Sequence, residues 1–90
     1  MRTWEKDPQA VLDWMFDWSN WLAAGESISG TPVVTVDSGL TKDSQSNTTT
    51  KVTCWLSGGT LGATYKVACR ITTNQGRTDE RTIAIRVTDR

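Results

Sequence analysis

The sequence predicts an all-β chain built as two stacked antiparallel sheets, and three observations carry that expectation. First, three segments of the second half alternate with a period of two. In Thr50–Ser57 (TKVTCWLS), Val52, Cys54 and Leu56 take one face, and Thr53, Trp55 and Ser57 take the other. In Thr64–Thr73 (TYKVACRITT), Tyr65, Val67, Cys69 and Ile71 point inward. In Arg81–Thr88 (RTIAIRVT), Ile83, Ile85 and Val87 oppose Thr82, Ala84 and Arg86. A strand sends successive side chains to opposite faces, so this period, rich in β-branched residues, marks half-buried strands. Second, Asn74–Arg77 (NQGR) suits a hairpin turn between the last two segments, because Gly76 can adopt a positive φ. Third, Gly62 stands three residues before Tyr65, which opens an alternating strand. This is the arrangement of the tyrosine corner of immunoglobulin-like (Ig-like) and fibronectin-like sandwiches, where the phenol hydroxyl bonds to the main chain as it crosses between sheets. It implies an antiparallel β-sandwich of about six to seven strands.

From the N-terminus, residues 1–7 read as a flexible arm and residues 8–90 as the sandwich domain. The stretch Asp13–Trp21 (DWMFDWSNW) fits two structures. As a helix, Asp7 would be the N-cap, Pro8 the first helical residue and Gly25 the stop, with Val11, Trp14, Met15, Trp18 and Leu22 on one face. As a strand, Leu12, Trp14, Phe16 and Trp18 point one way and Asp13, Met15, Asp17 and Ser19 the other. Periodicity alone does not separate the two. Thr31–Leu40 holds a short strand around Val33–Val36 and a turn at Asp37–Gly39, whereas Thr41–Thr50 is polar and unpatterned until its threonine run, which is expected to begin the next strand; taken alone it reads as an exposed loop.

Placing Thr50–Ser57 and Thr64–Thr73 in opposite sheets matters for Cys54 and Cys69. In a direct hairpin the two would lie roughly 13 Å apart along the strand, beyond disulfide reach. Across a sandwich they can meet. The sequence opens without an apolar stretch of the secretory kind, so synthesis in a cytoplasm and free, buried thiols are expected.

Composition excludes much. Ninety residues make one small domain, which buries only about two-thirds of its unfolded surface and so depends on a few large side chains. Ten basic and ten acidic residues balance, which argues against a nucleic-acid partner. The arginines lean toward the C-terminal third, but Asp79, Glu80 and Asp89 lie among them as on a mixed, solvated face. No run approaches the ~20 apolar residues that span a bilayer, so no membrane is expected. There is no histidine, and two cysteines do not make a metal site, so neither metal nor cofactor is expected. Ser57–Gly62 (SGGTLG) lacks the Lys-Ser/Thr of a phosphate loop. The pairs Asp13/Asp17 and Asp79/Glu80 have no neighbours that would tune a carboxylic acid. The expectation is a protein that is not an enzyme.

Three stretches resemble a known family: Lys6–Ile28 (KDPQAVLDWMFDWSNWLAAGESI), Trp55–Val87 (WLSGGTLGATYKVACRITTNQGRTDERTIAIRV) and, weakly, Gly39–Thr53 (GLTKDSQSNTTTKVT). They are similar to small bacteriophage structural proteins described as fiber–tail adaptors, which have an Ig-like β-sandwich fold. The resemblance implies a strand over Leu12–Trp18, followed by a helical turn around Ser19–Leu22. Met15 and Phe16 depart from it, standing where the family often has β-branched residues. Trp14, Phe16, Trp18, Cys54, Tyr65 and Cys69 are then expected in the core. Five residues are candidates for contact with partner chains: Trp4 in the leader, Trp21 past the strand, Trp55 on the outward side of its strand, and Arg77 and Arg81 at the last hairpin tip. The implied role is a virion part joining a tail fibre to the tail by protein–protein docking, with other tail or fibre proteins as partners and several copies supplying avidity. A capsid-decoration or head–tail completion protein of the same fold is one alternative. A carbohydrate-binding sandwich that stacks tryptophan on sugars is another.

Overall fold

The computed structural model describes residues 2–89. It contains seven strands: β1 (Arg2–Lys6), β2 (Leu12–Asp17), β3 (Ile28–Val36), β4 (Leu40–Asn47), β5 (Lys51–Gly58), β6 (Thr64–Thr73) and β7 (Thr78–Val87). They form a four-stranded sheet, β1-β7-β6-β3, facing a three-stranded sheet, β2-β5-β4. All neighbours are antiparallel except β1, which runs parallel to β7 with Trp4 opposite Ile85 and Lys6 opposite Val87. The fold is an Ig-like sandwich. β2, β5 and β4 take the places of the B, E and D strands, and β3, β6 and β7 those of C, F and G.

The all-β class, the three alternating strands and the Asn74–Arg77 hairpin stand as the sequence reads them, and four local readings change. The segment read as an arm contributes β1. The segment Thr41–Thr50, read as a loop, is mostly β4. That strand buries only Leu40 and offers no alternating apolar signal; main-chain pairing to β5 holds it, with a bulge between Lys42 and Ser44. The threonines Thr48–Thr50 are the β4–β5 turn, closed by the Thr48 hydroxyl, which accepts the N–H groups of Thr50 and Lys51. β3 starts earlier than its apolar run, at Ile28, and is bulged between Ser29 and Val33.

For Asp13–Trp21 the strand wins over the helix. A helix would bury Val11 and Met15 with Trp14, yet they are 53% and 56% exposed, while Trp14 and Phe16 are buried against Cys54 and Val52 of β5. Helical geometry is confined to one turn, where the N–H groups of Trp21 and Leu22 both donate to the Trp18 carbonyl.

The core lies between the sheets. Trp14, Phe16, Trp18, Cys54, Tyr65 and Cys69 are all part of it, joined by Val52, Leu56, Val67, Ile71, Ile85 and Val87. The phenol oxygen of Tyr65 accepts the Thr60 N–H at 2.9 Å, pinning the β5-to-β6 crossover. The same ring demands glycine around it. A Cβ on Gly39 (φ +104°) would stand 2.9 Å from Tyr65 Cε1, and one on Gly59 (φ +95°) only 2.6 Å from Val87 Cγ2.

Candidate interaction surface

The outward face of the three-stranded sheet follows from register. β2 presents Asp13, Met15 and Asp17, and β5 presents Lys51, Thr53, Trp55 and Ser57. Trp55 is 42% exposed and sits between Asp13 of β2 and Ser44 of β4. Met15 pairs with Thr53, which puts it diagonal to Trp55, within reach of a large side chain. The result is an indole and a thioether on an otherwise polar face. Asp17 and Lys51 are opposite one another at one end, and the Ser57 hydroxyl donates to Asp43 at 2.9 Å at the other.

A second group of candidates gathers at one end of the sandwich. Glu26 is buried and accepts from the Ala23 N–H, from the Thr73 hydroxyl at 2.6 Å, and from both Nε and Nη2 of Arg77. The Arg77 guanidinium beside it, helped by the Ala23 and Thr73 donors, holds its carboxyl down to about 2. Arg77 in turn lies 3.9 Å over the ring of Trp21, which is half-buried. The guanidinium of Arg81 stands 4.8 Å over Trp18, next to Asp79, and donates to the Asp17 carbonyl. Trp21, Arg77 and Arg81 therefore form one cluster that ties the β6–β7 hairpin to the segment after β2. Trp4 lies elsewhere, on β1 and 38% exposed. The five candidates thus occupy three separate places.

The sequence reading missed Glu26 and Lys6. Glu26 is a lone acid 51 residues from Arg77, and no spacing rule links the two. Lys6 is fully buried, and its ammonium donates to the carbonyls of Asp7 and Gly58, bridging the sheets. Burial pushes its pKa down, while Asp7 and Asp43 oppose that shift. Both cysteines are free and buried, and burial raises both thiols, that of Cys69 to about 12, which keeps them protonated at neutral pH. Among the described residues there is no pocket and no group of three potential metal ligands.

A family model, described as podophage GP4 fiber-tail adaptor protein gp77, matches residues 6–86 of the 90. The chain belongs to this fiber-tail adaptor family. The match spans β2 to β6 entirely and takes in Lys6, Glu26, Trp55 and Arg77. No curated protein sequence matches the chain. As a member of the family it is a structural adaptor of a phage tail and a component of the virion.

Proposed function

We propose that this adaptor joins a tail fibre to the tail by protein–protein docking, without catalysis, and that Trp55 on the outward face of the three-stranded sheet is its main anchor. The observation that carries the reading is the exposed indole on the central strand of the three-stranded sheet, with Met15 diagonal to it. Aromatic side chains surrounded by polar groups are the usual hot spots of protein interfaces, and a face with no pocket among the described residues favours a macromolecule over a small ligand. Trp4 supplies a second contact from β1. Trp21, Arg77 and Arg81 take part through the outer edges of their cluster, since their inner atoms are committed to Glu26, Asp17 and Asp79. Copies arranged around the tail add avidity.

Quantitative mass spectrometry of purified virions tests this, alongside a Trp55→Ala variant. The expected result is a small copy number suited to fibre attachment, and loss of fibres from particles carrying the folded variant. Hundreds of copies per particle would point instead to decoration of the capsid or tail tube. Fibre-bearing particles with Trp55→Ala would remove the anchor.

A further inference from the structure

The two sheets do not match in width. Arg81 of β7 reaches the Asp17 carbonyl at the end of β2, and Trp18, just past β2, reaches Asp79 of β7. β7 therefore lies above β2. At the opposite side β3 packs near β4. β1 is the fourth strand of its sheet, on the far side of β7 from β6, and its Lys6 ammonium reaches the Gly58 carbonyl of β5. In the Ig arrangement the place beside the B strand belongs to the first strand, but here β1 has left it to pair with β7. The three-stranded sheet is one strand short, on the side of β2.

The main chain of β2 is ready for a neighbour there. The Trp18 N–H donates to Thr50 O, continuing the β2–β5 ladder, so alternation directs Phe16, Trp14 and Leu12 toward β5. Asp13 and Met15 then direct their N–H and C=O groups to the open side. Leu12, opposite the fully buried Leu56, is on the inward face yet 40% exposed. The two edges on the other side are blunted. β3 carries a bulge and Pro32, and β4 carries a bulge with Lys42 and Asp43, the usual devices against strand addition. β2 pairs in continuous register, with no bulge.

We infer that β2 accepts a strand donated by another virion protein, which completes the three-stranded sheet as a fourth member. The chemistry of that strand follows from its neighbours. One set of alternate residues is apolar, to cover Leu12 and lie under β1. The other set is basic, to stand beside Asp13 and Asp17 on the outward face. A second copy of this chain fits poorly, because β2 paired with itself about Met15 sets Asp13 against Asp17. The inference rests on the docking role proposed above and names where and how one partner is held.

Hydrogen–deuterium exchange of the isolated chain and of the chain in purified virions tests it. The Asp13 and Met15 amides should exchange at least about tenfold more slowly in the particle. A Met15→Pro variant removes one outward N–H without touching the β5 ladder, as edge strands tolerate. It should fold yet fail to enter particles, a loss well beyond that of Met15→Ala, which removes the same thioether but keeps the N–H; equal losses in the two variants overturn the inference. Equal exchange in the two states overturns the inference, and that readout decides the matter even if Met15→Pro does not fold. Normal incorporation of Met15→Pro also overturns it, as does a dimer of the isolated chain formed through β2. If Trp55→Ala is lost from particles while Met15→Pro is retained, docking stands and strand donation fails. Absence of the wild-type chain from the tail removes the docking role itself.

Discussion

The indole N–H of Trp18 donates to Asp79 Oδ2 at 2.8 Å, joining the end of β2 to the start of β7 across 61 residues. Trp18 is fully buried, whereas the Asp79 side chain is about one-third exposed. The bond lets the chain bury its largest side chain without leaving a polar atom unpaired. Asp79→Ala orphans the indole N–H and should cost about 1–2 kcal/mol, the lower part of the range for an unsatisfied buried donor because water reaches the acceptor side. Asp79→Asn keeps an oxygen in place and should recover most of that loss. Urea denaturation followed by tryptophan fluorescence measures both; equal midpoints for the wild type and Asp79→Ala would show that the bond contributes nothing.

Around Tyr65, backbone conformation and close packing can be separated. Gly59 and Gly25 both have positive φ, at +95° and +77°, but only Gly59 has an atom where a Cβ would go. Gly25→Ala carries only the left-handed strain and should cost about 1–2 kcal/mol. Gly59→Ala adds a clash with Val87 Cγ2 and should cost at least about 3 kcal/mol, enough to unfold much of a small domain. Thermal melts of the two variants side by side give the difference, and a Gly59→Ala melt no lower than that of Gly25→Ala would refute the packing argument.

These contacts mark what the sequence could and could not reveal. β5, β6 and β7 were legible because each buries alternate β-branched or aromatic residues between the sheets. β4 was not, because an edge strand with a single buried side chain owes its form to main-chain pairing and leaves no trace in hydropathy. β1 hid for the opposite reason. Its inward positions include Lys6, a charge that the pattern assigns to solvent and the fold buries against two carbonyls. Trp55 could be placed by alternation alone. The Glu26–Arg77 pair could not, since it exists only once β3 and β7 have brought two distant turns together.

The cysteines lead to an alkaline prediction. Burial raises Cys69 from 9.0 to about 12, with nearby Cys54 adding to the shift. The unfolded thiol ionises first, so between about pH 9 and 12 the unfolded state holds fewer protons and stability falls as pH rises. Cys69→Ala should be less stable at neutral pH by about 1 kcal/mol, from the small cavity, and should lose less stability than the wild type above pH 9. Native alkylation with iodoacetamide should proceed only as fast as global opening at both thiols. Rapid labelling of the folded chain would contradict the burial argument.

Glu26 supplies the acid counterpart. Its carboxyl is held at about 2 against an ordinary value of 4.5, chiefly by Arg77 and then by the Ala23 and Thr73 donors. Because the folded pKa is depressed, the stabilisation is complete above the unfolded value. It fades as pH falls from about 4.5 to about 2, where the folded carboxylate finally takes its proton. Glu26→Gln keeps the shape and removes the charge. Its stability should lie below that of the wild type at neutral pH, and the gap should close progressively through that acid window. Arg77→Lys should behave similarly but more mildly, since an ammonium keeps the charge and loses the two-pronged contact and the stacking over Trp21. Urea midpoints at a series of pH values between 2 and 7 trace the gap directly. A constant difference across the series would mean that the network acts by packing alone and that the Glu26 charge has no part in holding the hairpin to the segment after β2.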